Sequence, residues 1–198
     1  MSSVQTGSNI GKWASHFTDP WIARRQASGR KYAGELTYQK AARFFEGVDA
    51  VEDWGGGLGA FRAFLPADIN YRMVDGTASP YADHVEDLEL YRSQANGILL
   101  RHVLDHNSGW ENILRNALSS FQQKLCVILF CPWSDGETKE LDKIFHVGGH
   151  LIPLISFRRQ DIEDCIESFP GVRYRLEENI HNPKSEFRLE HIFYIEKG

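Results

Sequence analysis

At 198 residues the chain is long enough for one domain with a substantial core, and two would be crowded. Its 42% hydrophobic and 25% charged residues are those of an ordinary soluble globular protein, and a net charge of −5 argues against a nucleic-acid surface as the main partner. Three scattered cysteines (Cys126, Cys131, Cys165) are too few for a disulfide framework or a zinc cluster; with no secretory leader and no apolar run of bilayer length, the expectation is a cytoplasmic protein without a membrane partner.

The N-terminal stretch Gly11 to Arg25 is rich in aromatics before any strand. Trp13, Phe17 and Trp21 fall at helical spacing, interrupted by Pro20. Residues 1–45 therefore read as a helical extension, either packed on the domain or serving as a lid over an active site, and 46–198 as the domain proper. Leu36 to Phe45 has the apolar period of a helix leading into a first strand, Val48 to Asp53.

That strand runs into Glu52-Asp53-Trp54-Gly55-Gly56-Gly57-Leu58-Gly59, an acid, a glycine turn and the start of a helix that Pro66 ends. Such a junction brings backbone N–H groups close to a ligand, and the preceding carboxylate suits an ammonium group or ribose hydroxyls better than bare phosphate. Tyr71 to Asp75 is the second strand. An acid closing a second strand is placed to bind both hydroxyls of a ribose, though a surface turn explains Asp75 alone about as well. Ser79 to Tyr91 is a shrunken crossover with a brief third strand near His84–Leu88, where Asp87 is either an acceptor for an adenine amino group or a solvated turn acid.

Gly97 to His102 is the fourth strand, followed by Val103-Leu104-Asp105-His106. A helix over Glu111–Phe121 follows, with Ser108 as its cap and Glu111 three residues on. The unbroken apolar run Lys124–Pro132 predicts a fifth strand buried on both faces. From Trp133 the pattern loosens through a short helix, Gly148-Gly149-His150 and Leu151–Phe157. Arg159–Phe169 is an amphipathic helix, and Val172–Asn179 and Phe187–Glu196 alternate like an antiparallel pair.

Alternating strands and helices closed by an antiparallel hairpin indicate an α/β fold, a three-layer α/β/α sandwich around a Rossmann-like seven-stranded sheet. Ligands of such sheets bind at the carboxyl ends of the strands, where Asp53, Asp75, Asp87 and His102 converge.

These segments resemble the class I S-adenosylmethionine-dependent methyltransferases. Asp53 with Gly55, Gly57 and Gly59 is similar to their first motif, Val74-Asp75-Gly76 to the ribose-binding acid of the second, and Arg101-His102-Val103-Leu104-Asp105-His106 to the run after the fourth strand. The resemblance spans about residues 40–198. It implies S-adenosylmethionine as cofactor, its methionine end near Asp53 and the glycine turn, its ribose on Asp75 and Gly76, its adenine near Asp87 and Leu88. Two features depart from a minimal member: the short crossover after the second strand, and the long insertion Trp133–Phe157, which with residues 11–25 would build a substrate wall. A nicotinamide dinucleotide enzyme is the rival cofactor reading, since Gly55, Gly57 and Ala60 satisfy a loose G-x-G-x-x-A pattern. Against it, Asp53 would set a carboxylate beside a pyrophosphate.

Methyl transfer to a hydroxyl needs an aligned nucleophile and removal of its proton. His102 is the natural general base, with Asp105 and His106 either orienting it or holding a divalent metal; the plain alternative is that His106 merely caps the following helix and Asp105 faces solvent. Two histidines and one acid in five residues rarely converge, so no metal site is expected. The polar, His-rich lining and the Trp110/Trp133 pair suit a sugar or glycan hydroxyl. A phenolic or other natural-product acceptor, N-methylation, and a non-catalytic cofactor-binding domain are the alternatives.

Overall fold

The structure, a computed structural model, describes residues 35–141, 145–147, 150–183 and 185–198. The expected lid helix around Trp13, Phe17 and Trp21 lies outside the described residues.

Five strands, β1 (Ala50–Trp54), β2 (Asn70–Asp75), β3 (His84–Val85), β4 (Gly97–Arg101) and β5 (Lys124–Leu129), run parallel. β10 (Val172–His181) and β11 (Leu189–Lys197) form the terminal hairpin, and β11 lies antiparallel against β5. The sheet order is β10-β11-β5-β4-β1-β2-β3. The chain therefore winds outward from β1 to β3 and returns to the other side of β1 as β4, placing the switch point between β1 and β4.

Alternation along the strands sorts their side chains onto two cores. Ile98, Leu100, Leu125, Val127 and Leu129 pack beneath α2 (Trp110–Ser120) and α3 (Arg159–Glu167). Leu99, Cys126, Ile128, Ile192 and Tyr194 face α1 (Glu35–Phe44). β4 and β5 are covered on both sides, which is why they read as unbroken apolar runs. The three cysteines are buried and unpaired.

Several elements differ from the sequence-based expectation. The segment after the glycine turn is a 3₁₀ turn, Ala60–Phe64, because left-handed Gly59 and Pro66 leave too little chain to nucleate an α-helix. Ser108 does not cap α2. Gly109 is the capping residue and makes no side-chain cap bond, while the Ser108 hydroxyl donates to Glu140 at 2.7 Å. β5 stops at Leu129 because the next two amides, Phe130 and Cys131, are taken out of the ladder by the Asp105 carboxylate. Among its described residues the insertion carries short strands in place of a helix: β6 (Lys139–Glu140) pairs β9 (Ile155–Ser156), and β7 (Phe145–Val147) pairs β8 (His150–Ile152).

Candidate active site

Asp53, Asp75, Arg101 and Glu190 share the α1 side of the sheet by strand alternation, at or just beyond the carboxyl ends of β1, β2 and β4 and at the start of β11. All four side chains are buried. So many ionisable groups in one row cost stability unless each is paired, and most are.

Asp53 lies 2% exposed, and its Oδ2 accepts from the Tyr71 hydroxyl at 2.8 Å. Burial pushes its carboxyl up to about 7; the Tyr71 bond and the Arg101 charge work downward, and the neighbouring Asp75 upward. Asp75 fastens the glycine turn. Its Oδ2 accepts from the Gly57 amide at 3.1 Å, and its Oδ1 from the Thr77 amide at 3.1 Å and the Thr77 hydroxyl at 2.8 Å.

The glycines serve different ends. Gly55, Gly57 and Gly59 all have positive φ. At Gly55 an added Cβ would meet Val103 Cγ2 at 2.6 Å, so close packing demands glycine as well. At Gly59 the nearest atom would be Met73 Sδ at 3.6 Å, an ordinary contact, and backbone conformation alone is the demand.

Asp87 follows β3. Its Oδ1 accepts from the Glu89 amide at 3.0 Å, and its backbone carbonyl from Leu90 and Tyr91. Its Oδ2 is buried with no hydrogen-bond partner among the described residues. An acceptor left without a donor in a buried position calls for a donor from beyond the described residues. Leu88, beside it, is buried and its carbonyl accepts from Asn116 at 2.9 Å.

His102 has the left-handed φ of 57, unusual for a residue with a Cβ, and its amide donates to the Ile128 carbonyl at 2.9 Å. Its Nε2 lies 2.5 Å from Oε1 of Glu190, the same oxygen that accepts from Arg101 Nη2 at 2.7 Å. Glu190 is fully buried. Burial works to raise its carboxyl, but His102 and Arg101 overcome it and hold the group at about 2. Sequence reasoning missed Glu190. The available signal was an acid inside the apolar strand Leu189–Lys197.

The other two proposed catalytic residues part company. His106 Nδ1 sits 3.1 Å from the Pro153 carbonyl, and the His106 and His102 rings both rest on Phe130, centroids 5.2 and 4.6 Å away. Asp105 is fully buried beneath the turn, with Oδ1 accepting from Phe130 and Cys131 at 3.0 and 3.2 Å; burial pushes it up to about 7. Trp110 and Trp133 are both engaged in packing: Trp110 meets Phe157 edge-on, and Trp133 stacks on His191 at 4.2 Å and donates to Glu178. Arg158 and Arg159 pair with Asp161, Glu163 and Glu178 of the chain itself. Among the described residues no His, Cys, Asp and Glu group is arranged to hold a metal ion, and no helix is long and apolar enough to cross a membrane.

No protein-family model and no curated protein matches the sequence. In three dimensions the chain is similar to the 1,6-didemethyltoxoflavin N1-methyltransferase of Burkholderia thailandensis bound to 1,6-didemethyltoxoflavin and S-adenosylhomocysteine, with TM-score 0.66 and 11% identity over 100% of this chain and 92% of that one. A magnesium protoporphyrin IX methyltransferase from Synechocystis, with bound S-adenosylmethionine, aligns at TM-score 0.61 and 12% identity over 100% of both chains. A sugar N-methyltransferase from Streptoalloteichus aligns at TM-score 0.59 and 11% identity over 98% of both. The fold is that of the class I S-adenosylmethionine-dependent methyltransferases.

Proposed function

We propose that this chain is an S-adenosylmethionine-dependent methyltransferase that methylates a hydroxyl of a small molecule, with a sugar or glycan as the favoured acceptor. The observation that carries the cofactor reading is the buried Oδ2 of Asp87, without a partner among the described residues, on the same sheet edge as Asp75 and the glycine turn. Each group of the cofactor then has a counterpart in the chain. Asp87 and Leu88 would hold the adenine, Asp75 with Gly76 the ribose, and Asp53 with Gly55, Gly57 and Gly59 the methionine end. The group supplies an electrophilic methyl on a positively charged sulfur.

The chain's own work is alignment and proton removal. His102 takes the acceptor proton. His106, whose ring also rests on Phe130, lines the same approach. Asp105 acts through the backbone, holding the turn that carries both histidines against the end of β5. The sugar assignment draws on the imidazoles beside the Phe130 ring, and on the sugar substrate named for one structural neighbour. Amine acceptors form the second reading, favoured by the two neighbours named for N-methylation. A dinucleotide would set its pyrophosphate against Asp53, which the pairing of Asp53 with Tyr71 does nothing to relieve.

Calorimetric titration with S-adenosylmethionine, S-adenosylhomocysteine and NAD, followed by a screen of sugar, phenol and amine acceptors, tests the proposal. Micromolar binding of the sulfur ligands alone is expected. Binding of NAD alone would overturn it.

A further inference from the structure

The seven-stranded sheet ends on β10, and among the described residues no strand pairs with the outer edge of β10. Along that edge the chain reads Arg173-Tyr174-Arg175-Leu176-Glu177-Glu178, cations first and anions after. We propose that this edge is an interface between two copies of the chain, their β10 strands paired antiparallel about Leu176. Such pairing is independent of the activity proposed above.

The hairpin fixes which backbone groups are on offer. At its base the Gly198 amide donates to the Gly171 carbonyl at 2.8 Å. In an antiparallel ladder the residues bonded to the neighbour recur at every second position. Arg173, Arg175 and Glu177 therefore turn their amides and carbonyls to β11, and Tyr174, Leu176 and Glu178 turn theirs outward. The regular ladder then breaks at a bulge between Glu177 and Ile180, with Asn179 left-handed at φ 53. The outward groups from Tyr174 to Glu178 form a ladder that a second copy, run in the opposite direction, can complete.

Side chains select the register. Centred on Leu176, each Arg175 stands opposite Glu177 of the second copy on the α1 face, so two opposite-charge pairs form. Centring on Tyr174 would set Arg173 against Arg175. Centring on Arg175 or Glu177 would set like charges against each other on the axis. Opposite charges directly across a ladder stabilise it and like charges weaken it. Charges on an edge strand guard against indiscriminate pairing, and here their order admits one register while excluding its neighbours.

Arg175 is exposed, its guanidinium lies 3.5 Å over the Tyr194 ring, and it forms no ion pair among the described residues. Glu177 on the same face meets Lys40 at 2.7 Å and accepts from the Tyr194 hydroxyl at 3.1 Å. Arg175 of the second copy would join that network. On the opposite face Glu178 is held by Trp133 and Arg159, and Tyr174 by Glu167, so this face contributes the contact of Leu176 with its own copy. A two-fold axis through Leu176 reverses the strand direction. The carboxyl edges of the two sheets, and the candidate sites on them, then face opposite ends, with neither site at the contact.

Sedimentation velocity over about 1 to 100 µM tests the pairing. Wild type is expected to move from monomer to dimer within that range. Arg175→Glu and Glu177→Arg each place like charges across the axis, and each should weaken the dimer at least about tenfold. Mixed together, the two variants set glutamates on one strand against arginines on the other, and the dimer should return as a heterodimer. Loss of folding in a variant would not be repaired by mixing. Hydrogen exchange on wild type needs no variant: the amides of Tyr174, Leu176 and Glu178 should gain protection as concentration rises. A wild type that stays monomeric overturns the proposal. So does a dimer indifferent to both charge reversals, or one in which those three amides exchange as fast as in the monomer.

Discussion

The Tyr71 hydroxyl on β2 donates across 2.8 Å to Oδ2 of Asp53 on β1, bridging the two strands that bracket the glycine turn. Because Asp53 stands at about 7, this bond sets how much of it is ionised near neutral pH. If the carboxylate receives the cofactor's ammonium group, affinity should climb as pH rises from 6 through 7 and level off once Asp53 is charged. Tyr71→Phe removes a contribution that lowers the Asp53 pKa, so the climb should move to higher pH. Calorimetry with S-adenosylhomocysteine on both proteins at matched pH cancels the ligand's own titration. Coincident curves would separate Asp53 from the binding event.

Asp105 makes a second pH prediction, on stability alone. Its folded-state pKa of about 7 lies above the ordinary carboxylate value of 3.8, so the native state holds a proton that the unfolded chain has released between those values. The stability associated with it is complete below about pH 4 and is lost as pH rises to about 7. Over a window of roughly three pH units this amounts to about 4 kcal/mol. His191 contributes with the opposite sign, since its pKa is lowered from 6.5 to about 4. Comparison with Asp105→Asn removes that background. The amide oxygen still accepts from Phe130 and Cys131, and urea unfolding at pH 5 and pH 7.5 should show the fall in wild type and not in the variant.

Asp53, Asp75 and Asp87 were legible because each stands at a strand end within a short local pattern, where strand-then-glycine and strand-then-acid fix position without knowledge of the rest of the chain. Gly55, Gly57 and Gly59 were legible for the same reason. Glu190 was not. It reaches His102 across 88 positions, and in its own strand it reads as one more acid in a terminal hairpin. The role of Asp105 was hidden by the turn itself: His102 takes a left-handed conformation, uncommon for any residue with a Cβ, that no local pattern announces. Asp105 consequently faces the backbone beyond β5, while His106 goes to Phe130 and Pro153. The helix expected in the insertion failed because the apolar residues there serve two-residue and three-residue ladders, too short to leave a period.

Gly55 and Gly59 should respond differently to the same substitution. Gly59→Ala meets only the cost of a left-handed residue with a Cβ, about 1–2 kcal/mol. Gly55→Ala adds a contact of 2.6 Å to Val103 Cγ2 in a packed core and should lose a further 1–3 kcal/mol or more. Chemical denaturation of the two variants gives the order directly. Equal losses would mean that Val103 moves aside freely and that the turn is not wedged against the segment carrying His102.

Asp87→Asn isolates the unpartnered oxygen. The amide oxygen can keep the bond from the Glu89 amide, so the turn should hold and stability should change by about 1 kcal/mol or less. The side-chain NH₂ then occupies the place of Oδ2, and a donor faces the adenine amino donor. Affinity for S-adenosylhomocysteine should fall about 10- to 100-fold, the equivalent of roughly 1.4–2.8 kcal/mol. The analogue with an oxygen in place of that amino group inverts the argument. It sets acceptor against acceptor in wild type and acceptor against donor in the variant, so Asp87→Asn should bind it more tightly than wild type does. A variant that weakens both ligands alike would place the adenine elsewhere and leave Asp87 as a turn residue only.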